Sequence, residues 1–442
     1  MMRNEHIVRA HQTPEVAINP STGLPWRVIH VDNNAAPGGN GSAAAPFTTL
    51  AAASGAATAA FDIVYLHAGT SSTSPYITPT EGFSFGAPNQ YLVGQGSSLV
   101  LPTLACGNHA FFVGNSPGAY PVITNPSGAA IVIDQPNVMV SHVQIVGSPI
   151  GIADAPPGVS LPSIATISDV IIQGTGGPFQ RGIQIANSTG AFVIDNARLS
   201  NLTNDGLVVS AVGGQASVAN SSFSAITGNA IAASGAGANV TATNTQIAGT
   251  VGTAIRASGA GAAVAFTSGT IDSTTGNAVV ASGVGASVGV TASRIANTTG
   301  SALVTAAPGT GAGITATAST IQNTGNPAVL VAAAGSTVTL AATSIRDVTG
   351  TGVVVSGSAG RINMTAASRI DTATGNGISL TGTNAFADIS GRSVIQAVGG
   401  DGIVSTDGSI HFANSTIQTV GGVGIRATGV DGNNVVWVQG GA

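Results

Sequence analysis

The chain has 442 residues, of which 62 are Gly, 43% are hydrophobic and only 7% are charged, with a formal net charge of −5. Every basic residue is Arg, and no basic patch is visible that could neutralise phosphates, so a nucleic-acid partner is not expected. The apolar residues occur in short runs that fall well below the roughly 18 residues of a membrane-spanning helix.

Residues 1–30 read as an irregular N-terminal segment. They lack the apolar core of a secretory signal peptide. Residues 31–70 are predicted to contain the opening strand and a short capping helix. Phe47, Leu50 and Ala51 follow a helical spacing, with Pro46 suited to the first helical position. Such a helix would close the open end of a solenoid.

Residues 71–195 are predicted to form irregular early coils, and residues 196–442 show a regular repeat of about 24 residues. One apolar series marks the repeat: Leu199, Phe223, Ile247, Ile271, Ile295, Ile321, Ile345, Ile370, Ile395 and Ile417. A second series keeps the same interval: Leu207, Ile231, Ile255, Val279, Leu303, Val329, Val353, Ile378, Ile403 and Ile425.

Each repeat contains three short apolar stretches separated by Gly-rich turns, and these stretches are too short for helices. Three strands per coil predict an all-β, right-handed, single-stranded parallel β-helix that rises about 4.8 Å per coil. A recurring turn, exemplified by Thr227-Gly228-Asn229 and Thr275-Gly276-Asn277, is expected to use left-handed backbone and to stack its Asn side chains.

The segment from Val31 to Thr70 resembles the opening of pectin-lyase-like right-handed parallel β-helix proteins. The resemblance is carried by a Gly/Asn/Ser-rich turn, Pro46-Phe47-Thr48-Thr49-Leu50, and Asp62-Ile63-Val64-Tyr65-Leu66 followed by Gly69-Thr70. It implies a fold but no activity, because lyases, hydrolases, phage tailspikes and surface passengers share that fold.

The segment 3–32 is similar to the start of passenger regions in bacterial surface and autotransporter-like proteins. This resemblance implies an extracellular or cell-surface location. The last repeat reaches Val435–Val438 with no capping helix after it, so we expect a piece of a longer exported protein.

The 17 acidic residues are scattered, and no coil gathers three of them, so no catalytic residue is predicted. Two pairs of charged residues fall on adjacent coils. Asp169 and Asp195 are expected to end turns, and Arg346 and Asp371 to form an exposed ladder salt bridge.

Seven dispersed His residues give no metal-ligand spacing, and the glycines open no phosphate-binding helix, so neither a metal nor a cofactor is expected. Cys106, the only cysteine, is expected to be a small buried residue.

A column of Ser and Thr residues lies two positions before the first apolar series. It includes Ser293, Ser319 and Ser368. We expect an internal hydrogen-bonded ladder there. The alternative role for this Ser/Thr column is a flat ice-binding array. The outward neighbours Arg294 and Arg369 argue against it, because a flat ice-binding plane should not tolerate them.

Strand alternation predicts an outward apolar stripe suited to lateral self-association: Val208, Val280, Val304, Leu330, Val354 and Val404. A surface glycan or protein is the other partner considered. The sequence therefore favours a non-enzymatic, extracellular structural or adhesive passenger. The alternative is a carbohydrate-active enzyme (polysaccharide lyase or glycoside hydrolase) or a glycan-binding β-helix.

Overall fold

The computed structural model describes residues 18–79, 81–96, 98–103, 107–112, 120–154, 165–325, 327–428 and 435–440. Cys106 and the segment before residue 18 lie outside these ranges. The chain forms a right-handed parallel β-helix with three strands in each coil, which confirms the predicted fold. Three long parallel sheets, here called sheets 1, 2 and 3, run along its axis.

Sheet 1 has 16 strands within the described residues. In the regular coils these strands are mostly five residues long, with the second and fourth residues buried. The strands are Val28–Val31, Ile63–Leu66, Tyr91–Gly94, Met139–Ser141, Ala165–Ser168, Ala191–Asp195, Gln215–Ala219, Asn239–Thr243, Ala263–Thr267, Ser287–Thr291, Gly313–Thr317, Thr337–Ala341, Arg361–Thr365, Phe386–Ile389, Ser409–Ala413 and Val436–Gln439.

In the part of the chain that the structure describes, sheet 2 has 14 strands. It carries the first apolar series on its inner face. Ile247, Ile271 and Ile295 are direct register partners, as a regular coil requires. The strands are Tyr76–Ile77, Val122–Thr124, Gln144–Val146, Ile171–Gln173, Arg198–Ser200, Ser222–Ser224, Gln246–Ala248, Thr270–Asp272, Arg294–Thr298, Thr320–Thr324, Ser344–Val348, Arg369–Ala373, Val394–Val398 and Thr416–Val420.

Sheet 3, counted over the same described ranges, also has 14 strands and carries the second apolar series. Its regular strands are only three residues long, so one outward residue stands between two buried ones. The strands are Phe83–Ser84, Ala129–Ile133, Ile150–Asp154, Arg181–Ile185, Leu207–Val209, Ile231–Ala233, Ile255–Ala257, Val279–Ala281, Leu303–Thr305, Val329–Val331, Val353–Val355, Ile378–Leu380, Ile403–Ser405 and Ile425–Ala427.

A short helix, Leu50–Ala56, lies at the start of the solenoid and buries Leu50 and Ala53 in the core. Thr49 caps it by accepting a hydrogen bond from the Ala52 backbone N–H at 3.3 Å. The predicted capping helix is confirmed, but it begins later than Pro46, because the Thr49 side chain supplies the N-cap. An antiparallel pair, Ser98–Thr103 with Gly107–Phe112, stands apart from the three sheets. In the described ranges no helix has the length and apolar character needed to cross a membrane.

The interior Ser/Thr column is hydrogen-bonded from coil to coil, as predicted. The Ser293 backbone N–H donates to Ser319 Oγ at 3.2 Å, and the Ser319 hydroxyl donates to the Thr317 carbonyl at 2.8 Å. Thr343 and Ser368 repeat the backbone contact at 3.2 Å. These hydroxyls satisfy buried polar groups and therefore face away from any external surface.

The Thr-Gly-Asn turn differs from the expectation in its backbone. Gly228 and Gly276 do not adopt positive φ; these glycines are needed for close packing instead. A Cβ added at Gly276 would lie 2.2 Å from the Gly252 carbonyl oxygen in the preceding coil. Left-handed backbone occurs at other corners, where Asn244 donates to Asn220 Oδ1 at 2.8 Å. Asn-to-Asn stacking therefore lies at another corner, but the turn Asn side chains also bond between coils, since Asn277 Oδ1 accepts from the Ser301 N–H at 2.9 Å.

Candidate functional site

Four polar or aromatic side chains align on the outer face of sheet 1 in the late coils. The strand register pairs Asn363 with Asp388, Asp388 with His411, and His411 with Trp437. The neighbours of Asn363, Asp388 and His411 along their strands are buried, as at Ile410, so alternation directs these three side chains outward. Trp437 joins the column through its register with His411, on a strand whose residues are all exposed. We call this column the late-coil site.

The central pair of the late-coil site is hydrogen-bonded. His411 Nδ1 lies 2.9 Å from Asp388 Oδ1, and the side chains are 31% and 32% exposed. A neutral imidazole that donates through Nδ1 leaves Nε2 as its acceptor atom. The carboxylate thus sets the tautomer and orientation of an imidazole that solvent can still reach.

An indole borders this pair on the next strand. Trp437 is 64% exposed, and its ring centroid lies 5.9 Å from that of His411 with the planes at 73°. On the neighbouring outward row, the Arg361 guanidinium lies 5.5 Å from the centre of the Phe386 ring. An exposed aromatic ring, a carboxylate, an imidazole and a guanidinium therefore share one open surface.

A second group of titratable residues lies on the outer face of sheet 1 in the first coils. His30 Nδ1 and His67 Nε2 are 3.1 Å apart, and both rings contact Tyr65 edge-on. Burial lowers the pKa of His30 and of His67, and burial raises the pKa of the Tyr65 phenol to about 12. These groups stay uncharged near neutral pH and pack against one another.

The early part of this face is also covered. Ile63 and Val93 point outward but are buried beneath Trp26, Val28 and Tyr91. Trp26 meets Tyr91 edge-on at 6.0 Å between ring centroids. The freely exposed part of sheet 1 therefore belongs to the later coils.

No described residues form a group of three His, Cys, Asp or Glu side chains able to hold a metal ion. The dispersal of histidines along the sequence is nonetheless misleading, because the fold pairs His30 with His67. It also stacks His142 on Tyr120, with ring centroids 4.0 Å apart.

The predicted apolar stripe lies on the outer face of sheet 3, but it is less exposed than expected. Val208, Val280 and Val304 retain only 7%, 6% and 5% exposure. Leu330, Val354 and Val404 are half-buried. Side chains stacked in register cover their neighbours above and below. Nothing in the described ranges supports lateral self-association, which stays a prediction.

The acidic pairs considered from sequence do not form carboxylate centres. Asp195 accepts a hydrogen bond from Asn220 Nδ2 at 2.8 Å, and Asp169 accepts one from Asn196. Both serve corner ladders, in agreement with the expected turn role.

The expected salt bridge between Arg346 and Asp371 is wrong, although the two residues are register partners. Arg346 Nε donates to Gln322 Oε1 at 3.0 Å, while Asp371 pairs with Arg369 at 3.3 Å. A flexible side chain on an exposed sheet can reach several neighbouring polar groups, so strand register alone does not determine its ion-pair or hydrogen-bond partner.

No protein-family model and no curated protein matches the sequence. Among solved structures, the chain is similar to the catalytic unit of a GH87 α-1,3-glucanase from Streptomyces thermodiastaticus strain HF3-3. That alignment has 17% identity, covers 97% of this chain and 70% of that chain, and has a TM-score of 0.40. The periplasmic alginate epimerase AlgG is 9% identical over 73% of this chain and 86% of its own, with a TM-score of 0.39. Pectate lyase Pel9A is 13% identical over 81% and 78%, with a TM-score of 0.34.

These likenesses describe the fold alone. They nevertheless correct the functional prediction, because the structures named above are carbohydrate-active enzymes. The prediction of a non-enzymatic structural or adhesive passenger is contradicted by these neighbours. The autotransporter context gains no support.

Proposed function

We propose that this protein binds a polysaccharide across the outer face of sheet 1, at the late-coil site. The observation that carries the proposal is the placement of Asp388, His411 and Trp437 on three successive strands, in register and open to solvent. The argument rests on these side chains and not on the structural neighbours.

The chemistry of the site suits a sugar polymer. An exposed indole offers a flat apolar surface to the C–H face of a sugar ring, while the carboxylate and imidazole can hydrogen-bond to hydroxyl groups. Small ligands usually need an enclosing cavity that buries most of their surface. An open sheet face suits a long chain that makes many shallow contacts.

The hydrogen-bonded pair favours a second candidate activity, which is proton abstraction from a bound sugar. With Asp388 holding Nδ1–H, His411 Nε2 can accept a proton, and the carboxylate stabilises the imidazolium that forms. Hydrolysis by two carboxylates is less suited, because only Asp388 contributes a carboxylate to the late-coil site.

Affinity electrophoresis through gels containing neutral or acidic polysaccharides tests the binding. Trp437→Ala should weaken retention about two- to tenfold, because an aromatic contact contributes ~0.5–1.5 kcal/mol beyond burial and tenfold is ~1.4 kcal/mol. Phe179→Ala is the matched control, since Phe179 is an aromatic outside the site that is more exposed than Trp437, at 79% against 64%. If both variants behave alike, or if the folded wild type is retained by no polysaccharide, the proposal fails.

Cleavage is tested separately by following unsaturated and reducing ends on the polysaccharide that binds. Asp388→Asn and His411→Gln should abolish turnover, whereas retention, to which Trp437 also contributes, should weaken without being lost. If turnover survives both substitutions, the proposed proton-transfer role is refuted, but the proposal of polysaccharide binding is unaffected. An extracellular or cell-surface location fits a polysaccharide ligand and stays a prediction.

A further inference from the structure

Six consecutive strands of sheet 1 present an outer face of small, uncharged side chains. They run from Gln215–Ala219 to Thr337–Ala341. Apart from Gln215, every outward residue is Gly, Ala, Ser, Thr or Asn. Asp195 lies on the strand before this surface and Arg361 on the strand after it, so ionisable groups flank the surface without entering it. We call it the threonine face.

Threonines stand in register on the threonine face. Thr243, Thr267, Thr291 and Thr317 are direct partners on four successive strands. A parallel row adds Thr315 and Thr339 two residues away along the strands. The hydroxyl and methyl groups of each row therefore repeat at about 4.8 Å between coils, and ~6.6 Å separates the two rows where Thr315 and Thr317 share a strand.

The strands beneath the threonine face are held firmly by the core and by their neighbours. Inward residues such as Val264, Phe266 and Val290 are at most 2% exposed, and every strand is bonded on both sides. The array is thus fixed before any partner arrives, which reduces the ordering cost of binding.

We infer that the threonine face binds ice. Charged groups hold strongly oriented hydration shells that do not fit a tetrahedral water lattice, and this face has none. Methyl groups and hydroxyl groups at fixed intervals can instead hold water molecules in a repeating arrangement that merges with an ordered solid. The large exposed hydrophobic residues lie outside this face, so a protein partner or a second copy is disfavoured.

The inference goes beyond glycan binding and uses different residues. The Ser/Thr column of the sequence did not identify this face. The Ser/Thr column that first suggested an array faces the core, and the exposed residues of sheet 2 include Arg369. The candidate array lies on sheet 1. Its threonines alternate along each strand with buried apolar residues such as Val and Ala, so their regular spacing is hard to see in the sequence.

Inhibition of ice recrystallisation by the full chain is the decisive measurement. Wild type should inhibit, and the double variant Thr267→Lys/Thr291→Lys should lose inhibition, because two ammonium groups would enter the array. Thr270→Lys, on the exposed face of sheet 2, is the matched control and should keep full activity. Circular dichroism melts establish that each variant folds.

Three results would overturn the inference. The first is a folded wild type no more inhibitory than an unrelated protein at equal mass. The second is a double variant as active as wild type. The third is a double variant that changes only polysaccharide retention or sedimentation, which would assign the face to a glycan or to a second copy.

Discussion

Replacing Gly276 with Ala tests whether coil stacking, rather than turn conformation, requires the glycine. The new Cβ would lie 2.2 Å from the Gly252 carbonyl oxygen and 2.9 Å from its carbon, far inside the ~3.5–4.0 Å of a favourable contact. The obstacle is the backbone of the coil below. That backbone cannot yield easily, because the Thr275 N–H donates to the Thr250 carbonyl at 2.8 Å. Forced repacking of this kind costs about 1–3 kcal/mol.

Gly289→Ala is the control for this substitution. A Cβ there meets no atom within 4 Å, and Ala should stabilise the strand by roughly 0.5–1 kcal/mol because it loses less entropy on folding. Urea unfolding followed by fluorescence measures the two changes. Native-state hydrogen exchange shows whether the loss is confined to nearby coils, as in a one-dimensional solenoid. Equal stability of the two variants would refute the packing argument.

Further substitutions test the buried polar groups. Ser319→Ala should lower the free energy of unfolding by about 1–3 kcal/mol, because the Ser293 N–H loses its acceptor, and urea titration measures this. Thr274→Val should raise the free energy of unfolding by ~1 kcal/mol, since this buried hydroxyl has no hydrogen-bond partner among the described residues. An equal loss of stability in both variants would contradict the distinction between hydrogen-bonded and unpaired buried hydroxyls. Burial lowers the pKa of His30 and His67 in the folded state, so the unfolded chain binds more protons as pH falls below about 6.5, and stability should fall with it. Thermal melts at about pH 5 and pH 7.5 should show this drop, and a His30→Asn/His67→Asn double variant should show a smaller one; an unchanged slope would contradict it.

The sequence predicts the coil well because two independent periods agree. An apolar residue every ~24 positions sets the coil, and strict alternation within each strand sets which side faces the core. Ile271 and Val279 are accordingly buried at their predicted places on two different sheets. Local turn chemistry was less informative, since Gly276 serves a contact that exists only after stacking.

The late-coil site escaped prediction because its members come from separate coils. Asp388 and His411 are 23 residues apart, one short of the usual repeat, so neither a local motif nor strict periodicity joins them. Aligning the buried residues Ile362, Ala387 and Ile410 before reading the residue that follows each would have revealed the column. Strand alternation also predicted correctly that the Val280 side chain points outward. It did not predict how little of that side chain is exposed, because exposure depends on the side chains stacked above and below it.

The coil between Leu303–Thr305 and Gly313–Thr317 carries two extra residues around Pro308, yet Ser287 still pairs with Gly313 and Thr291 with Thr317. The corner joining sheet 3 to sheet 1 absorbs the added length without passing any disturbance to the next layer. Longer loops could therefore be grafted at this bend, beside the exposed surface of sheet 1, and would change what that surface recognises while the scaffold beneath stayed the same.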